Sequence, residues 1–204
     1  VCGKLSQPRT NGTLPDLARS ETVLPSAPPD RTDHLQDLAL KKLFATLSLC
    51  LIAGLALAEE MPSSAPLFAA TLDDLDDKPV ALSRYKGKPL VVNFWARWCG
   101  PCRAEIPELI KFRAQHKGKI EVLGIGIEDK AEPAKDFAKA YEMDYPIFVA
   151  KDKGIPLMQA LANTKGGLPF TLFIDRNGQV IEKKLGVVKK ADLVAVTERL
   201  LKSQ

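Results

Sequence analysis

Few residues in this chain could build a metal centre, a disulfide framework or a nucleic-acid groove. Cysteine occurs four times, histidine twice and tryptophan twice. A zinc site on one Cys-x-x-Cys pair needs a second pair or added histidines, and His34 and His116 do not supply them. No metal or other cofactor is therefore expected. Basic residues are scattered, the net charge is only +4, and no stripe of Lys and Arg alternates with aromatics. A nucleic-acid partner is not expected. No uncharged apolar run reaches the roughly 20 residues that span a bilayer comfortably. The paired charges Asp73-Asp74, Asp76-Asp77 and Lys183-Lys184 read as solvated surface. What remains is ordinary globular composition, 46% hydrophobic and 26% charged, enough for one buried domain with extra segments.

Those segments lie at the N-terminus. Residues 1–40 are rich in Pro, Ser, Thr, Asp and Arg, lack apolar periodicity, and read as a disordered extension. The expected translation start lies near Leu40, which would leave that extension untranslated. Residues 41–58 have the pattern of an export signal: Lys41-Lys42, an apolar run from Leu43 to Leu57, and the small-x-small site Ala56-Leu57-Ala58. A retained membrane anchor is the rival reading. A lipid anchor at Cys50 fits less well, because bulky Leu49 precedes it. Residues 59–66 read as a Pro/Ser linker and 67–204 as the domain.

The leader changes the meaning of the cysteines. Cys2 and Cys50 fall inside it, so the processed chain keeps only Cys99 and Cys102. A disulfide between them closes almost no loop and cannot serve as a structural staple. Trp98-Cys99-Gly100-Pro101-Cys102 follows the apolar run Leu90–Ala96 and precedes a helical stretch expected over 103–116. A strand thus delivers two thiols to a helix start. The positive end of the helix dipole and its free N–H groups favour an anion there. Thiolate is the reactive form of cysteine, so this placement suits a dithiol–disulfide switch.

The remaining elements follow from periodicity and turn chemistry. Short strands are expected over 67–72 and 80–82, then a buried strand at 90–96. The helix after the cysteines contains Pro107, which should kink it, and buries Ile106, Leu109, Ile110 and Phe112. A strand over 120–127, a helix over 132–141, a strand over 145–149 and a helix over 155–162 come next. Strands 171–175 and 179–186 flank the turn Arg176-Asn177-Gly178. The last helix, 189–202, presents Leu193, Val196, Leu200 and Leu201. The order specifies an α/β fold, a mixed sheet with helices on its faces. Ligand chemistry in such sheets sits at strand carboxyl ends, where Cys99 falls.

Phe94-Trp95-Ala96-Arg97-Trp98-Cys99-Gly100-Pro101-Cys102 resembles a thioredoxin-fold protein. Cys102-Arg103-Ala104-Glu105-Ile106-Pro107 and Gly167-Leu168-Pro169-Phe170-Thr171 narrow the resemblance to exported TlpA/ResA-type thiol–disulfide oxidoreductases. It covers roughly residues 66–202. The implied fold is the thioredoxin fold, with an N-terminal strand extension and a central βα insertion. The resemblance implies Cys99 as nucleophile, Cys102 as resolving thiol, and Leu168-Pro169 as a cis-proline loop beside them. Where cytosolic thioredoxin has a buried aspartate, this chain has Asn93, which cannot titrate. Glu105 lies one helical turn after Cys102, where the group carries a glutamate, and could take the Cys102 proton. Trp98, Pro101, Leu168 and Pro169 would form an apolar rim for an extended peptide, while Trp95 reads as core. His116 ends its helix and has no assigned role in the chemistry.

Three functions compete on these residues. The first is a periplasmic reductant of client-protein disulfides, fed by a membrane thiol donor. In this group the clients are often apocytochrome c or copper-site proteins of oxidases. The second is a disulfide-forming oxidase, against which Gly100-Pro101 argues, being the dipeptide of reducing thioredoxin. The third is a copper(I)-binding chaperone, which usually adds a nearby histidine or methionine; Met61, Met143 and Met158 are distant in sequence. A peroxidase is excluded, because Ala96 stands where that chemistry places a threonine.

Overall fold

The sheet is built outward from one fully buried strand. The computed structural model describes residues 61–202. The expected extension, signal, Cys2 and Cys50 lie outside the described residues. Strand β3 (Leu90–Trp95) is buried at every position, as its unbroken apolar run requires. It pairs in parallel with β4 (Glu121–Gly126) and antiparallel with β6 (Phe170–Ile174). Strand β7 (Val180–Leu185) closes one side, joined to β6 through a turn in which Gly178 takes φ +81. That left-handed conformation is the one Asn-Gly turns supply. Strands β1 (Thr71–Asp74), β2 (Pro79–Ala81) and β5 (Ile147–Val149) complete seven strands in the order β2-β1-β5-β4-β3-β6-β7.

Helices cover both faces. The alternation of β3 decides which side chains go where. Val91 and Trp95 join one core under α2 (Gly100–Gln115), α3 (Ala131–Ala140) and α5 (Lys190–Lys202). Leu90, Val92 and Phe94 join the other, beneath α1 (Ala65–Ala69) and α4 (Gly154–Ala160). This is the thioredoxin-like architecture expected from the residues. Strands β4-β3-β6-β7 form its centre, and the β1–β2 hairpin and β5-α4 extend it beyond β4.

Three local expectations differ from the structure. Residues 65–69 form a helix, not the start of a strand, and the strand begins only at Thr71. Pro66 occupies the first turn, where a missing N–H costs nothing. Second, ordered packing begins inside the segment read as linker: Ser64 is buried and its hydroxyl donates to the Gly178 carbonyl. Third, α2 starts at Gly100, before the expected position, and runs through Pro107 as one helix. In α5 Leu193, Val196 and Leu200 are buried and Leu201 is partly covered.

Candidate active site

Helix α2 begins on the cysteines themselves. Cys99 is its N-cap, in extended conformation, and its sulfur accepts a hydrogen bond from the Cys102 backbone N–H at 3.2 Å. Pro101 sits in the first turn, which lacks intrahelical partners for its N–H groups in any case. Cys99 and Cys102 are joined as a disulfide, with Cα atoms 5.3 Å apart. Cys99 keeps 5% of its surface exposed and Cys102 none. An incoming thiol or disulfide therefore meets Cys99 first.

The loop that carries Cys99 is held from the end of β4. Buried Glu128 accepts from the Arg97 backbone N–H at 2.6 Å and from Arg97 Nε at 3.1 Å. Trp98, between Arg97 and Cys99, is 70% exposed. Pro101 is exposed too. Phe94 pairs with Phe170 in register, so the residues preceding Phe170 run alongside the end of β3. Those residues are Leu168 and Pro169, joined by a cis peptide bond. The Pro169 carbonyl accepts from Gly186 N–H at 2.8 Å, and Leu168 packs against both cores.

Glu105 is fully buried. Its Oε1 accepts from Asn93 Nδ2 at 2.7 Å and its Oε2 from the Val188 backbone N–H at 2.7 Å. The second Asn93 amide proton goes to Thr171 Oγ1 at 2.9 Å. Burial raises the carboxyl from its ordinary 4.5 to about 7. The Val188 and Asn93 hydrogen bonds and the Lys184 ammonium pull the other way with less effect. A carboxyl poised near neutrality, one turn from a buried thiol, can accept or return a proton at working pH.

Sequence reasoning did not find the supporting cast. Thr171 pairs with Asn93 on one side and Lys184 on the other, so Lys184, Thr171, Asn93 and Gly124 form one row across four strands. Lys184, expected as solvated surface, is half-buried and binds Asp192 Oδ2 at 2.6 Å. Tyr145 is buried, and its hydroxyl titrates above its ordinary value because of that burial and, secondarily, the carboxylates of Glu105 and Asp144. The available signal was Asn93, a polar residue inside an apolar strand, which demands partners. Trp95 is core, stacked on Phe137 with centroids 5.0 Å apart, and His116 caps α2 with Nδ1 against the Phe112 carbonyl at 2.9 Å.

Comparison with known proteins decides the family. The Redoxin family matches residues 59–201. The chain belongs to that family. It is 32% identical over 142 residues to the thiol-disulfide oxidoreductase ResA of Bacillus cereus, covering 69% of this chain and 79% of that protein. ResA of Geobacillus kaustophilus is also 32% identical, over 64% of this chain and 72% of its own length. Among solved structures, a thiol:disulfide interchange protein from Chlorobium tepidum TLS has a TM-score of 0.59 at 28% identity. It covers 72% of this chain and 99% of its own. A putative protein disulfide isomerase from Bacteroides thetaiotaomicron has a TM-score of 0.59 at 29% identity, covering 71% and 89%. This redoxin is a thiol–disulfide oxidoreductase of the ResA type.

Proposed function

We propose that this redoxin works outside the cytoplasm, in the periplasm, as a reductant of client disulfides, in cytochrome c maturation or oxidase copper-site assembly. Electrons reach it from a membrane thiol donor. In the reduced enzyme the Cys99 thiolate attacks a client disulfide. One client sulfur leaves as thiolate and takes up a proton, and a Cys99–client mixed disulfide remains. Cys102 then gives its proton to the Glu105 carboxylate and attacks Cys99 Sγ. The second client sulfur leaves, the Cys99–Cys102 disulfide forms, and two electrons have passed to the client. Trp98, Pro101, Leu168 and Pro169 contact the client chain around its cysteine.

Buried Glu105, one helical turn from Cys102, is the observation that carries the reading. A resolving thiol inside the protein needs an internal base, and the carboxyl titrates near 7 where such a base is effective. The export-like pattern over 41–58 and Gly100-Pro101 between the cysteines support the compartment and the reducing direction. Among the described residues no helix is long and apolar enough to cross a membrane. The test is a Cys102→Ser enzyme expressed with its whole leader. It should accumulate mixed disulfides with extracytoplasmic clients, identified after capture. A redox titration accompanies it. A potential near that of strong oxidants, about −120 mV, in place of one near about −270 mV, would overturn the reductant reading.

A further inference from the structure

Basic residues that are scattered along the chain are gathered by the fold at one end of the sheet. Lys86 and Lys88 precede β3, Lys117 and Lys119 precede β4, and Arg176 lies in the β6–β7 turn. Register fixes that end: Leu90, the first residue of β3, pairs with Glu121 at the start of β4 and with Ile174 at the end of β6. Lys88, Lys119 and Arg176 line one cleft. Arg176 and Lys86 line an adjoining one with Met61. All five cations are exposed, and none forms an ion pair among the described residues. Elsewhere on the surface Lys111, Lys135 and Lys151 each hold a carboxylate. Two carboxylates of the described residues share the basic end, and both are engaged. Glu121 binds Arg113 Nε at 2.8 Å, and Asp175 accepts from the Gln179 N–H at 2.8 Å. Like charges gathered without counter-charge repel one another and create a field that attracts an anionic surface.

We propose that this end of the domain docks on an anionic bilayer surface, with lipid phosphates held by Lys88, Lys119 and Arg176, and that docking leaves the cysteines facing away from the membrane. Two features favour lipid over another polyanion. The chain enters the domain here. Met61, exposed in the cleft with Lys86 and Arg176, follows Leu57, the last residue of the uncharged apolar run, by four residues. Four residues reach at most about 14 Å, so a membrane that takes up that run meets this end of the domain first. A surface for single-stranded nucleic acid, by contrast, stacks bases on aromatic side chains. The exposed tryptophan, Trp98, is at the opposite end, beside Cys99. From Leu90 to Trp95, β3 makes five steps of about 3.3 Å, so about 17 Å of strand lies between the docking face and the turn that carries Cys99. Trp98 and Leu168-Pro169 therefore stay open to a client while the domain is docked. The proposal needs neither Glu105 as the internal base nor the reducing direction.

Vesicle flotation of the full-length protein tests the face. Vesicles of equal parts phosphatidylglycerol and phosphatidylcholine should bind it more tightly than pure phosphatidylcholine, and added salt should narrow the gap. The apolar run is present in every variant, so the quantity compared is the ratio of the two affinities. Each cation near an anionic surface strengthens binding about fivefold. Lys88→Gln, Lys119→Gln and Arg176→Gln together should therefore lower the ratio about a hundredfold, with reduction of a small disulfide in solution unchanged. Hydrogen exchange on the anionic vesicles should show protection at residues 86–89, 117–120 and 175–178, and none beyond the solution level at 97–101. Equal affinity for the two kinds of vesicle, or a ratio unmoved in the triple variant, overturns the docking face. Protection at 97–101 overturns the orientation. Binding to a DNA oligonucleotide that is as tight as to the anionic vesicles, and is lost in the same variant, overturns lipid as the partner.

Discussion

Glu105→Gln in the oxidised protein isolates the energetic cost of the buried carboxyl. The parent group titrates at about 7 when folded, against an ordinary value of 4.5. The native state therefore binds this proton more tightly than the unfolded chain does. Between about pH 4.5 and about pH 7 the folded protein holds more protons, so stability contributed by this group falls as pH rises. The shift corresponds to about 3 kcal/mol, a large share of the roughly 5–15 kcal/mol that holds a domain together. Glutamine does not titrate. Its single carbonyl oxygen can satisfy either Asn93 Nδ2 or the Val188 N–H, leaving the other donor against an amide NH2. That mismatch costs about 1–3 kcal/mol, independent of pH. The variant should be less stable than the parent at pH 4 and equal to or more stable than it at pH 8. Urea unfolding across this range, analysed as the parent-minus-variant difference, removes every other titrating group from the comparison. A difference that stays flat from pH 4 to pH 8 would refute a raised Glu105 pKa.

Other substitutions probe the surroundings. Lys184→Met removes the ammonium that lowers the Glu105 midpoint, so the carboxyl should titrate above its present value of about 7, read by NMR of labelled glutamate. Thr171→Val strands the Asn93 amide proton that now goes to Thr171 Oγ1 and should cost about 1–3 kcal/mol in urea unfolding. Glu128→Ala releases the Arg97 N–H and should cost about 2 kcal/mol, with faster proteolysis at Arg97 in the native protein. Trp98→Ala should change stability by less than about 0.5 kcal/mol, because the side chain is 70% exposed. It should slow reduction of a protein client more than that of a small disulfide, compared by kcat/KM.

The residues close to the cysteines in sequence were legible, because a strand end, a helix start and an i+3 spacing are local facts. Cys99, Cys102 and Glu105 need nothing else to be placed on one helix. The Asn93–Thr171–Lys184 row was not legible, since it depends on the register between β3, β6 and β7. Lys183-Lys184 looked like ordinary surface charge; only the pairing of Lys184 opposite Thr171 turns it toward the core. Val188 was invisible for a different reason: it acts through its backbone N–H, and any residue but proline has one. At the other end, Leu67–Leu72 was read as a strand because a short apolar run carries no period, and Pro66 opening a helical turn decided otherwise.

Val188 donates to Glu105 across 83 residues of chain. The acid beside the cysteines is thus aimed by a peptide group between the last strand and the last helix. A polypeptide emerging from synthesis presents its two thiols long before it can present a positioned carboxyl. If Glu105 is the base proposed above, the second step has a positioned base only when the segment between β7 and α5 has closed over the sheet. Shortening the C-terminus should leave the first thiol exchange available and disable the release that follows it.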